Sequence, residues 1–142
     1  MPLIVEVTLL QTTIYFKPLP DAAPPEAIAT VLHKIIPRKR TQILATADEK
    51  VMKALDFLTK TLPALIGETV LFDTDSIEVV FNRNENKIRL EYTLRLEDKE
   101  QTKDTITTAK KICKILKENG YKLEAVKASY SKIRLYSTIQ GI

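Results

Sequence analysis

The sequence predicts an α+β fold: a single domain over residues 1–142, in which a mixed, mainly antiparallel sheet carries about three amphipathic helices packed on one face. Three observations lead there. Residues 87–97 alternate apolar and polar with period two, as a half-buried antiparallel strand does. Three other stretches repeat apolar residues at helical spacing. With 142 residues, 44% apolar and 28% charged, the chain has the length and balance of one domain that buries its own core.

Residues 3–16 are rich in Leu, Ile, Val and Thr and free of Gly, Pro and Asn, which predicts one long strand with a bulge near Gln11–Thr13. Leu3, Val5, Val7 and Leu9 point to one face while Ile4 and Leu10 point to the other. Apolar residues on both faces suit a central strand or a subunit contact. Pro18, Pro20, Pro24 and Pro25 then forbid a ladder and stiffen the connection. Pro25 fits the first turn of a helix whose stripe is Ile28, Val31, Leu32 and Ile35, stopped by Pro37.

Thr41–Ala45 reads as a short strand. Thr46 and Glu49 form a capping box for a second helix, with Val51, Met52, Leu55, Leu58 and Leu62 inward, ended by Pro63 and Gly67. Strands come next at Val70–Phe72, Ser76–Asn82 and Lys87–Glu97, the last two joined by a polar turn at Arg83–Asn86. Asp98 is the expected N-cap of a third helix that buries Ile106, Ala109, Ile112, Cys113 and Leu116 and closes at Asn119-Gly120. A last hairpin is expected from Tyr121–Val126 and Lys132–Thr138, turning at Ala128–Ser131.

Composition removes several classes of function. The one cysteine, Cys113, has no partner for an internal disulfide, which points to a cytoplasmic setting. The apolar run 3–10 falls well short of the roughly 20 residues of a spanning helix, and the N-terminus lacks the marks of a signal peptide, so no membrane partner is expected. One histidine and one cysteine make no Cys/His zinc site. Three scattered glycines write no phosphate-cradling loop, and no cofactor is expected. Abundant Lys, Glu and Ile with little Asn and Gln lean towards a thermophilic source.

The most enzyme-like string is Val70-Leu71-Phe72-Asp73-Thr74-Asp75-Ser76, which resembles the first motif of haloacid-dehalogenase-type phosphatases. The resemblance implies Asp73 as nucleophile and Asp75 as acid/base. It covers residues 70–76 alone, and the residues after it read as antiparallel hairpins where that family needs βα repeats. An Asp-rich turn is the preferred reading. His33 lies opposite the first helix's apolar stripe and is expected to be exposed, and Cys113 to be a buried, inert thiol.

Positive charge is the remaining signal, with a formal net charge of +4. Arg38, Lys39 and Arg40 cluster past the end of a helix, where the dipole favours cations and where phosphates are also gripped. Lys103, Lys110, Lys114 and Lys117 form a stripe on the third helix. Tyr130, Lys132, Arg134 and Tyr136 alternate on one face of the last strand, interleaving rings with cations as single-strand nucleic-acid binders do; Arg89 and Arg95 extend that face if their strand shares it. The expectation is a binding module without catalysis, with nucleic acid as partner through Arg38–Arg40 and the Tyr130–Tyr136 strand. The alternative is a homo-oligomer or interaction protein whose first strand forms a subunit interface.

Overall fold

A computed structural model of the chain describes the backbone of residues 2–37 and 67–138, with side chains over 6–37 and 67–134. In chain order the elements are β1 (Pro2–Pro18), α1 (Pro25–Ile35), β2 (Glu68–Asp73), β3 (Ile77–Asn82), β4 (Lys87–Arg95), α2 (Lys99–Glu118) and β5 (Tyr121–Thr138). The strands form one sheet in the order β2-β3-β4-β1-β5, and every neighbouring pair is antiparallel. The α+β class holds, but the finer expectation is corrected: among the described residues the sheet is not mixed, and two helices, not about three, accompany it. The expected strand at 41–45 and helix at 47–62 lie outside the described residues.

β1 is the long strand its composition predicts, and it sits between β4 and β5. That two-sided position holds from Leu9 to Phe16; residues 2–8, which carry most of the two-sided apolar pattern, pair with β5 alone. β1 does not bulge at Gln11–Thr13; the register shift comes between Tyr15 and Phe16, and the extra residue, Glu124, belongs to β5.

The expected terminal hairpin is instead one strand. β5 runs unbroken from Tyr121 to Thr138 and pairs with β1 along its whole length. Ala128–Ser131 contains no Gly, Pro, Asn or Asp to impose a turn. A partner of matching length, β1, offers each ladder position a bond that a turn would forfeit.

The core lies between one face of the sheet and the two helices. Phe16, Phe72, Val79, Ile88 and Leu90 from the strands meet Ile28 and Leu32 of α1 and Ile112 and Leu116 of α2. Two helix stripes differ from expectation. Ile35 is 56% exposed, while Ile36, in extended conformation at the helix end, turns back into the core. On α2, Thr105 and Ile115 are buried, whereas Ile106 and Cys113 sit half-buried at its flank. The helix is rotated so that one side reaches towards α1 and the other overhangs β1.

Local chemistry fixes the ends. The Asp98 side chain accepts the Gln101 amide at 3.0 Å, as an N-cap should. Gly120 ends α2 at φ 88, where a Cβ would stand 2.7 Å from Ala22 Cα. That close approach lets the proline-rich connection latch on: Leu19 N–H donates to Gly120 O at 2.8 Å, Ala23 N–H to Asn119 O at 2.9 Å, and the buried Tyr121 hydroxyl to Ala23 O at 2.7 Å. Burial, with the Glu26 charge, holds the Tyr121 phenol above its usual range.

Candidate functional site

Because α2 packs mainly on β4, it leaves the helix side of β1 and β5 partly uncovered. The result is an open groove of about 620 Å³ beside α2. Ile14, Tyr92, Ile106, Ala109 and Cys113 supply its apolar lining, and Lys110, Lys114 and Lys117 its rim, with Glu118 the one acidic group at its edge. The register carries the same side outward: Ile14 faces Val126 and Leu10 faces Tyr130, and both β5 residues are open to solvent at 57% and 62%.

The β5 alternation continues past the helical layer. Tyr130, Lys132, Arg134 and Tyr136 stand opposite Leu10, Thr8, Glu6 and Ile4, all on the face that carries α2. Lys132 and Arg134 are exposed, Arg134 sharing Glu6 at 3.2 Å across the ribbon. Of the lysine stripe read from the sequence, Lys110, Lys114 and Lys117 border the groove, and Lys103 is exposed further along the helix. Lys114 approaches Glu118 at 3.9 Å, both largely in solvent, a pair that water screens heavily.

Arg89 and Arg95 do not join this surface. They stand opposite Tyr15 and Leu9, on the other face of the sheet. Arg89 is held there by three carboxylates, Glu68 at 3.3 Å, Glu78 at 3.4 Å and Glu91 at 3.6 Å, and Gln11 also bonds Glu91. Lys87–Glu124 at 3.1 Å and Lys127 over the Tyr15 ring occupy the same face. The open face thus carries a glutamate-rich network closed by Arg89, and the groove side carries three lysines with Glu118 beside them. Arg38, Lys39 and Arg40 lie outside the described residues.

The phosphatase-like string forms the end of β2 and its tight turn into β3. Thr74 N–H donates to Ile77 O at 2.7 Å, and the Thr74 hydroxyl accepts from Ser76 and Ile77 amides. The next element is an antiparallel strand, so the βα unit that the resemblance implies is missing at this point of the chain. Beside the turn, a recess of about 300 Å³ includes Asp75, Ser76, Asp104 and Lys111 among apolar groups such as Ile36 and Ile77. Ser76 and the buried Thr105 satisfy each other at 2.9 Å. Among the described residues no group of three or more His, Cys, Asp or Glu is placed to hold a metal ion.

His33 is exposed, yet it has a structural task the sequence did not reveal. Its Nε2–H donates to Leu71 O at 3.0 Å and the ring meets Phe72 edge-on, fastening α1 to β2. Cys113 is half-buried at the groove, not sealed in the core; burial pushes its thiol up, with the Lys117 charge acting in the opposite sense. Its neighbourhood follows from the rotation of α2, which spacing alone does not fix.

No helix among the described residues is long and apolar enough to cross a membrane. The chain matches no protein-family model, no curated protein and no solved structure.

Proposed function

We propose that this chain is a binding module for single-stranded nucleic acid, taken along the groove beside α2 and across the same side of β5. The observation that supports it is the sharing of one side of the sheet by the Lys110, Lys114 and Lys117 rim and the exposed Tyr130, Lys132 and Arg134 of β5. A single strand needs a cationic track for its phosphates and apolar or aromatic surface for its bases. Both are present side by side, with Glu118 at the groove and Glu6 beside Arg134 as the acidic groups of that side, while Glu68, Glu78 and Glu91 lie on the opposite face. A duplex hides its bases and has no use for the apolar lining, so the reading favours an unpaired strand.

Fluorescence anisotropy with labelled single-stranded and duplex oligonucleotides at about 50 and 200 mM salt tests it. Single strands should bind more tightly than duplex and weaken as salt rises. Replacing Lys110, Lys114 and Lys117 together by Gln should flatten the log–log salt dependence by about 2, since each phosphate contact on a single strand contributes about 0.7. Replacing Tyr130 by Leu should weaken binding about tenfold, the scale of one lost base stack. Absence of binding at about 50 mM salt, or binding indifferent to all four changes, overturns the proposal.

A further inference from the structure

β5 is an edge strand of 18 residues, and among the described residues nothing pairs with its outer side. Natural edges are shortened, broken by proline or covered, because a row of open backbone donors and acceptors invites another strand. This one contains no proline, and its one irregularity is the bulge at Glu124, near its start. From Val126 to Arg134 every residue is exposed, including Val126 at 57% and Tyr130 at 62%.

The strand's own sequence identifies an occupant. We propose that two copies of this chain pair antiparallel through their β5 edges, about a two-fold axis at Ala128, and so enclose the groove between two lysine-bearing α2 helices. With the axis there, Val126 faces the partner's Tyr130, Tyr130 faces the partner's Val126, and Ala128 faces itself. On the other face, Ala125 meets the partner's Ser131 and Lys127 the partner's Ser129, with no like charges opposed and no bulky pair colliding. Neighbouring registers are poorer. An axis at Lys127 sets that lysine against its own copy, and one at Ser129 puts Val126 against a lysine. Centring on Ala128 covers at once Val126 and Tyr130, two of the three large exposed apolar side chains of this segment.

The geometry then changes the groove. The two β4 strands, on which the α2 helices lie, become separated by five strand spacings of about 4.8 Å, or about 24 Å. Subtracting a helix width of about 10 Å leaves a trough about 14 Å across, room for one nucleic-acid strand and too narrow for a duplex. Its floor is Val126, Ala128 and Tyr130 from both copies, and its walls are two Lys110–Lys114–Lys117 rims. The occupant of the trough rests on the nucleic-acid reading above; the pairing itself does not.

Sedimentation equilibrium of the full chain without nucleic acid should give twice the 16.1 kDa chain mass. Val126→Lys, a change at a side chain already in water, should return the mass to that of one chain with its circular dichroism unchanged. In a Cys113→Ser background, Ala128→Cys should cross-link on mild oxidation, while Ser131→Cys, remote from its own copy, should not. A monomer at about 100 μM, or a dimer unaffected by Val126→Lys and lacking the Ala128→Cys cross-link, overturns the pairing. Anisotropy on the same samples separates the two ideas: a dimer that binds no oligonucleotide keeps the pairing and removes the nucleic-acid reading, whereas full-strength binding by a monomer does the reverse.

Discussion

Both carboxylate oxygens of Glu97 stand 2.9 Å from the amide nitrogen of Thr8. Pairing between β1 and β4 ends at Leu9 and Arg95, so the Glu97 side chain takes over where the ladder stops and anchors the start of the projecting β1–β5 ribbon. Hydrogen bonds from Thr8, with a smaller contribution from the Lys132 charge, hold its pKa below the ordinary 4.5. A depressed folded-state pKa means that the stabilisation is complete above the unfolded value and is lost as pH falls through the folded one. Glu97→Gln should therefore unfold more easily than wild type in urea at about pH 7, and the two should converge as pH falls through the lowered folded-state value. A gap that stays constant across that range would show that the charge is not what matters.

Arg89 gathers three glutamates on the open sheet face, and its side chain keeps 28% of its exposure. Replacing it by Met leaves Glu68, Glu78 and Glu91 facing one another without the cation. With solvent screening allowed for, the loss should be about 1 to 2 kcal/mol in urea unfolding at low salt. Because the remaining penalty is mutual repulsion, about 1 M NaCl should narrow the gap. A gap unchanged by salt would place the arginine's value in packing, its stem lying over the sheet beside the buried Val80.

Much of this architecture was legible because short-range chemistry settles it. Asp98 and Gly120 announce the ends of α2, the alternation of 88–94 fixes the inward face of β4, and the prolines of 18–25 locate the connection. What escaped depends on partners distant in sequence. β5 contains a polar stretch that resembles a turn until a strand as long as β1 is available to pair with it. Ile106 and Cys113 share a helical stripe with Ile112, and only the position of α2 over β4 decides that they line a groove. For the same reason the lysine stripe and the Tyr130–Arg134 alternation were each visible, while their sharing one side, and Arg89 lying on the other, needed the register.

Gly67 and Gly120 both hold positive φ, 77 and 88, yet alanine should be tolerated very differently at the two. At Gly67 an added Cβ meets the amide end of Asn84, a side chain that can swing aside. The cost there is backbone strain, about 1 kcal/mol. At Gly120 it meets the Cα of Ala22, which is pinned by the hydrogen bonds linking Leu19 and Ala23 to the end of α2. Gly120→Ala should lose about 2 to 4 kcal/mol and lower the thermal midpoint well below that of Gly67→Ala. Equal midpoints for the two variants would mean that the proline-rich connection yields, and that its contact with α2 is not a fixed part of the fold.

Cys113 reports on the groove from inside. Burial raises its thiol pKa and the nearby Lys117 charge lowers it, burial being the larger effect. Since the thiolate is the nucleophile, alkylation by iodoacetamide at about pH 7.5 should be slower than for a free cysteine. Lys117→Gln removes the lowering influence and should slow it further, while opening no new route to the sulfur. A single-stranded oligonucleotide lying along the groove should protect the thiol in proportion to its occupancy, and lose that protection at high salt. Faster alkylation in Lys117→Gln would show that the lysine shields the thiol sterically, so that access and not charge governs the reactivity of this side of α2.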